Sequence, residues 1–594
     1  KYLVSLDTVI SGRLFPPRAD VSSFFFFFSI AMAVAARSTD LLSTAERRDS
    51  AHSLHRCIPA DRWCVTSRDL RFLRQELCTA LQENMIQPPK AGLDEFDPAD
   101  RMYGPSIYTV NEQYIRPVTA EAGMMSWALM RNPNGLDCDL FISHAWQEGI
   151  FEFLRKVRHS WPRGVRNAWC CMLANPQNLD IGAFLETPSE SPFAVALRAS
   201  QLVLVIPNRH QSVYTRLWCG YEAYLAQEEG KTILIAVYSH LPEIQRALWR
   251  MTGAALAGCV LGILCGFGKI TWPKRFAASI AAAAFLGLCI ENHSLRIVLN
   301  TSCEVLCFVE VTRLEMLFPF THQTKMPWWV WRISQPVFWL MCASFFCLSE
   351  IDRISGKNTV KEAQELRKGY QGSIRYADCA QQSDAAKIRQ EIDEHIDEVD
   401  YAVDVLLTAG MSSPALRSIT RQGVDIEFAA YSEITAACVL LIPFEVLSVA
   451  HLAIHLEQWS VWYLLILHGL PIVGRLILLL LLRRSTLDER CFLLKVLTKF
   501  AAVLLVLTAI ATILALFAPG SSPAMVWLCT SNVALLLVIP IAILGIQGTA
   551  ALPFGMCLLQ LFFARGSKTL SACHCDFSRL CFSQERLLPD SSSD

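Results

Sequence analysis

A chain of 594 residues in which 53% are apolar and only 18% charged is too poor in charge to be soluble along its whole length, since soluble globular chains sit near about a quarter charged. Its 53 basic and 54 acidic side chains nearly cancel, so nothing in the charge balance points to a nucleic-acid footprint. The 22 cysteines are scattered, several inside apolar runs such as Cys259, Cys265, Cys289 and Cys529; this is the usage of reduced, small apolar residues, not of a secreted disulfide framework.

The chain opens with Lys1, and Ser23–Ala36 (SFFFFFSIAMAVAA) follows Arg13 and Arg18. That apolar stretch reads either as part of a signal peptide or as translated non-coding sequence, so residues 1–50 are expected to be an atypical, disordered or artefactual extension. Residues 51–136 are mixed and polar, broken by Pro88-Pro89, Pro98 and Pro105. Within them Ser67–Gln82 places Leu70, Leu73, Leu77 and Leu81 on one face, which predicts a helix capped by Ser67 and packed on the region that follows.

Residues 137–245 alternate strand and helix patterns. Asp139–Ser143 is a short apolar strand, followed by a helical pattern over Ile150–Val157. Leu202–Ile206 and Thr232–Val237 are unbroken aliphatic runs of the kind that fill parallel strands buried on both faces, with a helix over Arg216–Glu229 between them. The pattern predicts a small parallel α/β sheet.

Charge then disappears in blocks. Met251–Gly268, Phe276–Ile290 and Ile333–Ser349 are free of charge, whereas Leu295–Phe318 is interrupted by Arg296, Glu304, Glu310, Arg313 and Glu315. Residues 250–349 therefore read as a first membrane-helix block. Residues 350–432 are polar and hold a long amphipathic helix from Ser383 to Thr408, with Ile388, Ile392, Val399, Val403 and Leu406 on its apolar face, an acidic solvated surface elsewhere that includes Glu391, and Gly410 as its stop. Ile434–Leu456, Ser460–Leu482, Val496–Ala518, Ala524–Ile546 and Thr549–Ala564 form a second block over residues 433–565. The 65 residues Phe500–Ala564 contain no charge at all, room for about three spans of ~20 residues each. Residues 566–594 are a tail. The whole is expected to be an integral, multi-pass membrane protein with about 7–9 spans.

Basic loops set the orientation. Arg483-Arg484 with Arg490 and Lys495 make the most basic short connection, which places it in the cytosol. Two crossings back, residues 350–432 share that side. A cytosolic 137–245 region then requires an even number of crossings between Arg250 and Glu350. Inside the expected spans Glu445, His451, His468 and Arg475 are either pathway residues or paired and snorkelling side chains. Cys573-His574-Cys575, with Cys581 beyond, lacks a four-ligand spacing and suits acylation at a membrane surface better than a metal; no metal ligand is assigned.

Two elements carry chemistry: Asp139-Leu-Phe-Ile-Ser-His-Ala-Trp146 and, 72 residues after Trp146, Trp218-Cys-Gly-Tyr-Glu222. With Ser200–Ile206 between them, they resemble the TIR superfamily, whose pattern is a D-x-F-x-S strand, an apolar strand and a helix opening W-C-x-x-E. The wording Ser143-His-Ala-Trp146, Trp169-Cys-Cys171, Ala174-Asn-Pro-Gln177, Ser191-Pro-Phe193 and Arg216-Leu-Trp218 is similar to a family of protist multi-pass membrane proteins with a TIR-like domain. The resemblance covers about 100 residues and implies a flavodoxin-like parallel sheet, a cytosolic domain and self-association. The loop that usually follows the second strand with an R-D-x-x-P-G character is replaced here by Ala174–Asp180.

In enzymatic members the Glu of W-C-x-x-E serves NAD cleavage, which assigns Glu222 by resemblance; other members are scaffolds in which that Glu is structural. The physical case for catalysis is that an oxocarbenium-like ribose needs a nearby carboxylate, and a partly apolar setting beside Trp218 and Cys219 would raise its pKa. Ser143, His144 and Trp146 end the first strand, where open α/β sheets bind ligands, and with Trp218 and Cys219 they are the candidate nucleotide-binding residues. NAD enters as a substrate, not as a resident cofactor. Three functions stay open at this stage: a signalling or sensor protein acting by self-association, with or without NAD hydrolysis; a channel or transporter regulated by the soluble domain; and a non-enzymatic membrane-anchored adaptor.

Overall fold

The computed structural model describes residues 44–89, 94–180, 182–268, 292–317, 328–379 and 381–423, with short pieces at 283, 543–545 and 548–556. The expected spans Ile434–Leu456, Ser460–Leu482 and Val496–Ala518 lie outside the described residues, as do Glu445, His451, His468, Arg475 and Cys573–Cys575. The contacts divide the chain into two units, one of residues 1–225 with 378–393 and one of 226–377 with 394–594.

The described strands number six, four in the first unit and two in the second. The first unit holds four: β1 (Cys64–Thr66), β2 (Leu140–Ser143), β3 (Asn167–Cys170) and β4 (Leu202–Val205), in the order β1-β3-β2-β4. β2 lies parallel to β3, with Leu140 opposite Ala168, and parallel to β4, with Leu140 opposite Leu202. Each residue of β2 and β3 is buried, as central strands covered on both faces require. The expectation of a purely parallel sheet is corrected by β1, which pairs antiparallel with β3, Cys64 opposite Trp169. The region before residue 137 thus supplies a strand that covers the open edge of β3.

That strand runs directly into α1 (Ser67–Gln82), whose Leu70, Leu73, Leu77 and Leu81 are all buried. The cap is Thr66, not Ser67. The Asp69 amide donates to the Thr66 hydroxyl and the Thr66 amide donates to the Asp69 carboxylate, a reciprocal capping box. α1 packs on α2 (Ile150–Ser160), as its apolar stripe predicts. α3 (Pro192–Ala199), capped by Ser191, precedes β4, and α4 (Leu217–Glu228) carries the Trp218–Glu222 motif. Trp169 on β3 stacks on Phe141 of β2, ring centroids 5.1 Å apart.

The second unit contains β5 (Thr232–Ile235) and β6 (Met411–Ser412), paired antiparallel. β5 buries Ile233 and Ile235 but leaves Thr232 and Leu234 half-exposed, so the expected burial on both faces is replaced by alternation. Three helices follow β5: α5 (Leu241–Phe267), α6 (His293–Leu317) and α7 (Trp328–Arg367), the last with Pro336 inside it. α5 and α7 take in nearly all of the expected spans Met251–Gly268 and Ile333–Ser349, and α6 falls on the charge-interrupted stretch from Leu295. Among the described residues one helix, α5, is long and apolar enough to cross a membrane. Its small residues face α6: a Cβ on Gly258 would stand 2.5 Å from the Val305 carbonyl oxygen, and one on Gly262 2.6 Å from that of Val309. Glycine is what lets the two backbones approach so closely. Leu256, Val260, Leu264 and Phe267 on α5 are exposed.

The helix expected over Ser383–Thr408 is two helices. Gln382–Ile392 and Ile396–Ala409 are separated by a 3-10 turn at Asp393–His395. Ile388, Ile392, Val399, Val403 and Leu406 are buried as predicted, and Gly410 ends the second helix at φ 74°. Its first half, with residues 378–381, belongs to the first unit.

Candidate functional site

A cavity of about 400 Å³ opens in the first unit at the C-terminal ends of β2 and β3. Its walls are His144 and Trp146, which follow β2; Cys171, Asn175 and Gln177, which follow β3; and Trp218, Cys219 and Glu222 on α4. Five of the six residues singled out in the sequence therefore line one space. Ser143, the last residue of β2 and 2% exposed, stands behind them. Parallel strands bring these segments together because their C-terminal ends all point the same way. On α4 the residues Trp218, Cys219 and Glu222 lie within a turn of one another. Phe193 stacks on Trp218 at 5.1 Å, and Tyr108 meets Trp146 at 5.5 Å, so the cavity has aromatic sides.

Glu222 is 5% exposed, and its Oε2 has no hydrogen-bond partner. Burial pushes its carboxyl up to about 7, with the nearby Ser143 hydroxyl and His144 acting in the opposite direction. A carboxylate in this state is poised between its two protonation forms near neutral pH.

Behind it runs a chain of buried ionisable groups. His144 Nδ1 lies 3.3 Å from Glu148 Oε1, and neither side chain is exposed. Burial lifts Glu148 to about 7 as well, against the pull of His144. Within α2, Glu152 sits 3.3 Å from the Lys156 ammonium, which donates to the Pro207 carbonyl at 2.6 Å. On its other side His144 Nε2 meets Cys171 Sγ at 3.1 Å and Cys170 Sγ at 3.4 Å. Burial disfavours charge on this ring, but the two sulfurs outweigh it and hold His144 above the usual histidine range. Burial pushes the Cys170 and Cys219 thiols up. Among the described residues no cluster of His, Cys, Asp and Glu has the arrangement to hold a metal ion.

The segment Ala174–Asp180, where the sequence departs from the W-C-x-x-E pattern's usual loop, forms part of the wall. Gln177 fastens it, its amide donating to the carbonyls of Asn175 at 3.1 Å and Met172 at 3.3 Å. Four further lining residues, Asp378, Cys379, Gln381 and Asp384, come from the polar region far along the chain. The Leu217 amide donates to the Asp378 carbonyl and the Asp378 amide to the Thr215 carbonyl, both at 2.8 Å. Tyr221 donates its hydroxyl to Glu391 at 2.5 Å. Glu391, expected on a solvated surface, is thus a partner of α4. From sequence alone Glu148 and Cys171 had no site role; the four-residue offset between His144 and Glu148, and Cys171 directly after β3, were the available signals.

Comparison with protein-family models, curated proteins and solved structures finds no match to this chain.

Proposed function

We propose that this chain is a multi-pass membrane signalling protein whose soluble α/β region is TIR-like, faces the cytosol, acts by self-association and cleaves the nicotinamide–ribose bond of NAD with Glu222. One observation carries the reading: a carboxylate 5% exposed, with one oxygen unpartnered, faces a cavity with aromatic sides. A planar nicotinamide suits such walls. Breaking its bond to ribose leaves an oxocarbenium-like sugar, and a buried carboxylate is a fixed negative charge where that positive charge develops. The elevated pKa means that the ionised form needed for this role grows as pH rises through about 7. The exposed apolar side of α5 supports the membrane part of the reading.

The test uses the full chain reconstituted in lipid nanodiscs, free and clustered through an affinity tag, with nicotinamide release followed by chromatography. Release by the wild-type chain and a loss of about 10²–10³ in rate for Glu222→Gln are expected, because an interaction realised in the transition state is of that order. No release in the clustered state, or release that survives Glu222→Gln, would leave a ligand-binding module instead.

A further inference from the structure

In the cavity wall a thiol and an imidazole stand in sequence, with a buried carboxyl behind them. Cys171 Sγ is 3.1 Å from His144 Nε2, and Nδ1 of the same ring is 3.3 Å from Glu148 Oε1. The Trp146 indole N–H points to the same sulfur at 3.3 Å. A thiol so placed has an imidazole nitrogen to take its proton, the Glu148 carboxyl 3.3 Å away as ion-pair partner for the imidazolium that results, and a donor for the charge left on sulfur. We propose that Cys171 is a covalent-modification site of this cavity, its thiol adding to a small planar carbonyl compound with a conjugated double bond.

Three thiols converge here, and their surroundings separate them. Cys170 also approaches His144 Nε2, but it is 1% exposed and does not line the cavity. Cys219 lines the cavity but turns its thiol toward the His144 carbonyl at 3.7 Å, an acceptor that disfavours a thiolate. Cys171 alone of the three combines the imidazole, the indole donor and an opening to the cavity. The unpartnered Glu222 Oε2 in the same wall independently marks the space as one built for a ligand. Trp146 and the Phe193–Trp218 stack set a flat shape for what enters.

The step is an addition. The thiol proton passes to His144 Nε2 as a bond forms between Sγ and the β-carbon of the electrophile. The π electrons of the double bond move to the α-carbon, conjugated with the carbonyl, and the proton returns there from His144. Nothing leaves and nothing is oxidised. The proposal does not require NAD cleavage.

N-ethylmaleimide is the probe, used sub-stoichiometrically at pH 7 on the full chain in nanodiscs, with modification rates read by peptide mass mapping. Cys57, exposed, is the internal reference, and Cys64, 1% exposed, reports folding by staying unlabelled. Cys171 is expected to react at least about tenfold faster than Cys57. In His144→Gln its rate should fall to that of Cys57 or below, with Cys64 still protected. If His144→Gln exposes Cys64, Trp146→Phe serves instead, with an expected drop of roughly threefold as the indole donor is lost. A wild-type rate at Cys171 no higher than at Cys57 overturns the proposal. So does a rate unchanged by the substitution in a chain whose Cys64 stays protected.

Discussion

Asp139 and Glu222 are both acids of the recognised motifs, both are nearly buried, and they belong to opposite ends of β2. Asp139 precedes the strand and is fully engaged: it accepts from the Arg166 amide at 2.8 Å, the Asn167 amide at 3.4 Å and the Arg166 guanidinium at 3.4 Å. Burial would raise its pKa, but these hydrogen bonds outweigh burial and hold it below the ordinary carboxylate range. Glu222 meets the other end, beyond Ser143, with an unpartnered oxygen and a pKa pushed up by burial. The same residue class, at similar residue exposure, is a fastening in one place and an under-partnered group facing a cavity in the other. What separates them is the number of donors within reach, so burial alone does not identify a site.

The largest expected effect on stability tests the Glu222 half of this contrast. A carboxyl raised from 4.5 to about 7 contributes stability that is present below pH 4.5 and lost as pH rises through 7. Glu222→Gln should therefore stabilise the chain by about 3 kcal/mol at pH 8 relative to wild type, and by nearly nothing at pH 4.5. Glu148 and His144 keep their own pH dependence, so the slope shrinks without vanishing. Pulse proteolysis in urea across that pH range measures it. Equal stabilisation at both ends would show that Glu222 is not buried in the way described.

A smaller effect of opposite sign belongs to Asp139. Asp139→Asn removes a charged acceptor from two backbone amides and should cost about 1–3 kcal/mol at neutral pH. Because Asp139 is depressed, that stability is present above its ordinary pKa and lost on acidification, so the two proteins should converge as pH falls below 4. Nicotinamide release per folded molecule should be unchanged. A loss of release without a loss of stability would put Asp139 on the reactive side of the comparison.

The smallest test lies in the fold alone. Thr66→Ala breaks the capping box of α1 and should cost about 1 kcal/mol, seen as a lower urea midpoint with no change in the pH slope that Glu222 controls.

How much of this was legible depends on how local each cause is. The strands at Leu140–Ser143 and Leu202–Val205 were readable because each is a short apolar run, the second wholly aliphatic, and α1 because its leucines repeat at helical spacing. The antiparallel β1 was not: Cys64-Val-Thr66 is three residues long, and its pairing with β3 spans some hundred residues of chain. The cap moved by one residue because Thr66 and Ser67 are both good caps, and only Asp69, three after Thr66, discriminates between them. At the site, the motif residues fell together on one cavity, whereas Asp378 and Asp384 lie in a stretch whose acidity reads as an ordinary solvated surface. Nothing near them in sequence signals that Tyr221 has a partner at Glu391.

That late-arriving segment has a consequence for biogenesis. The first unit stops at Leu225 and resumes at Asp378, so 152 residues, including α5, α6 and α7, are synthesised before its last piece exists. At roughly 5–20 residues per second this is an interval of about 8–30 s in which α4 has emerged without the chain that will hydrogen-bond Leu217 and Tyr221. The wall of the cavity formed by residues 378–384 is completed only after the apolar helix α5 has left the ribosome and met whatever receives it. A nascent chain stalled before residue 378 therefore presents Glu222 in an unfinished setting, and order of synthesis, as well as final geometry, governs when this cavity is whole.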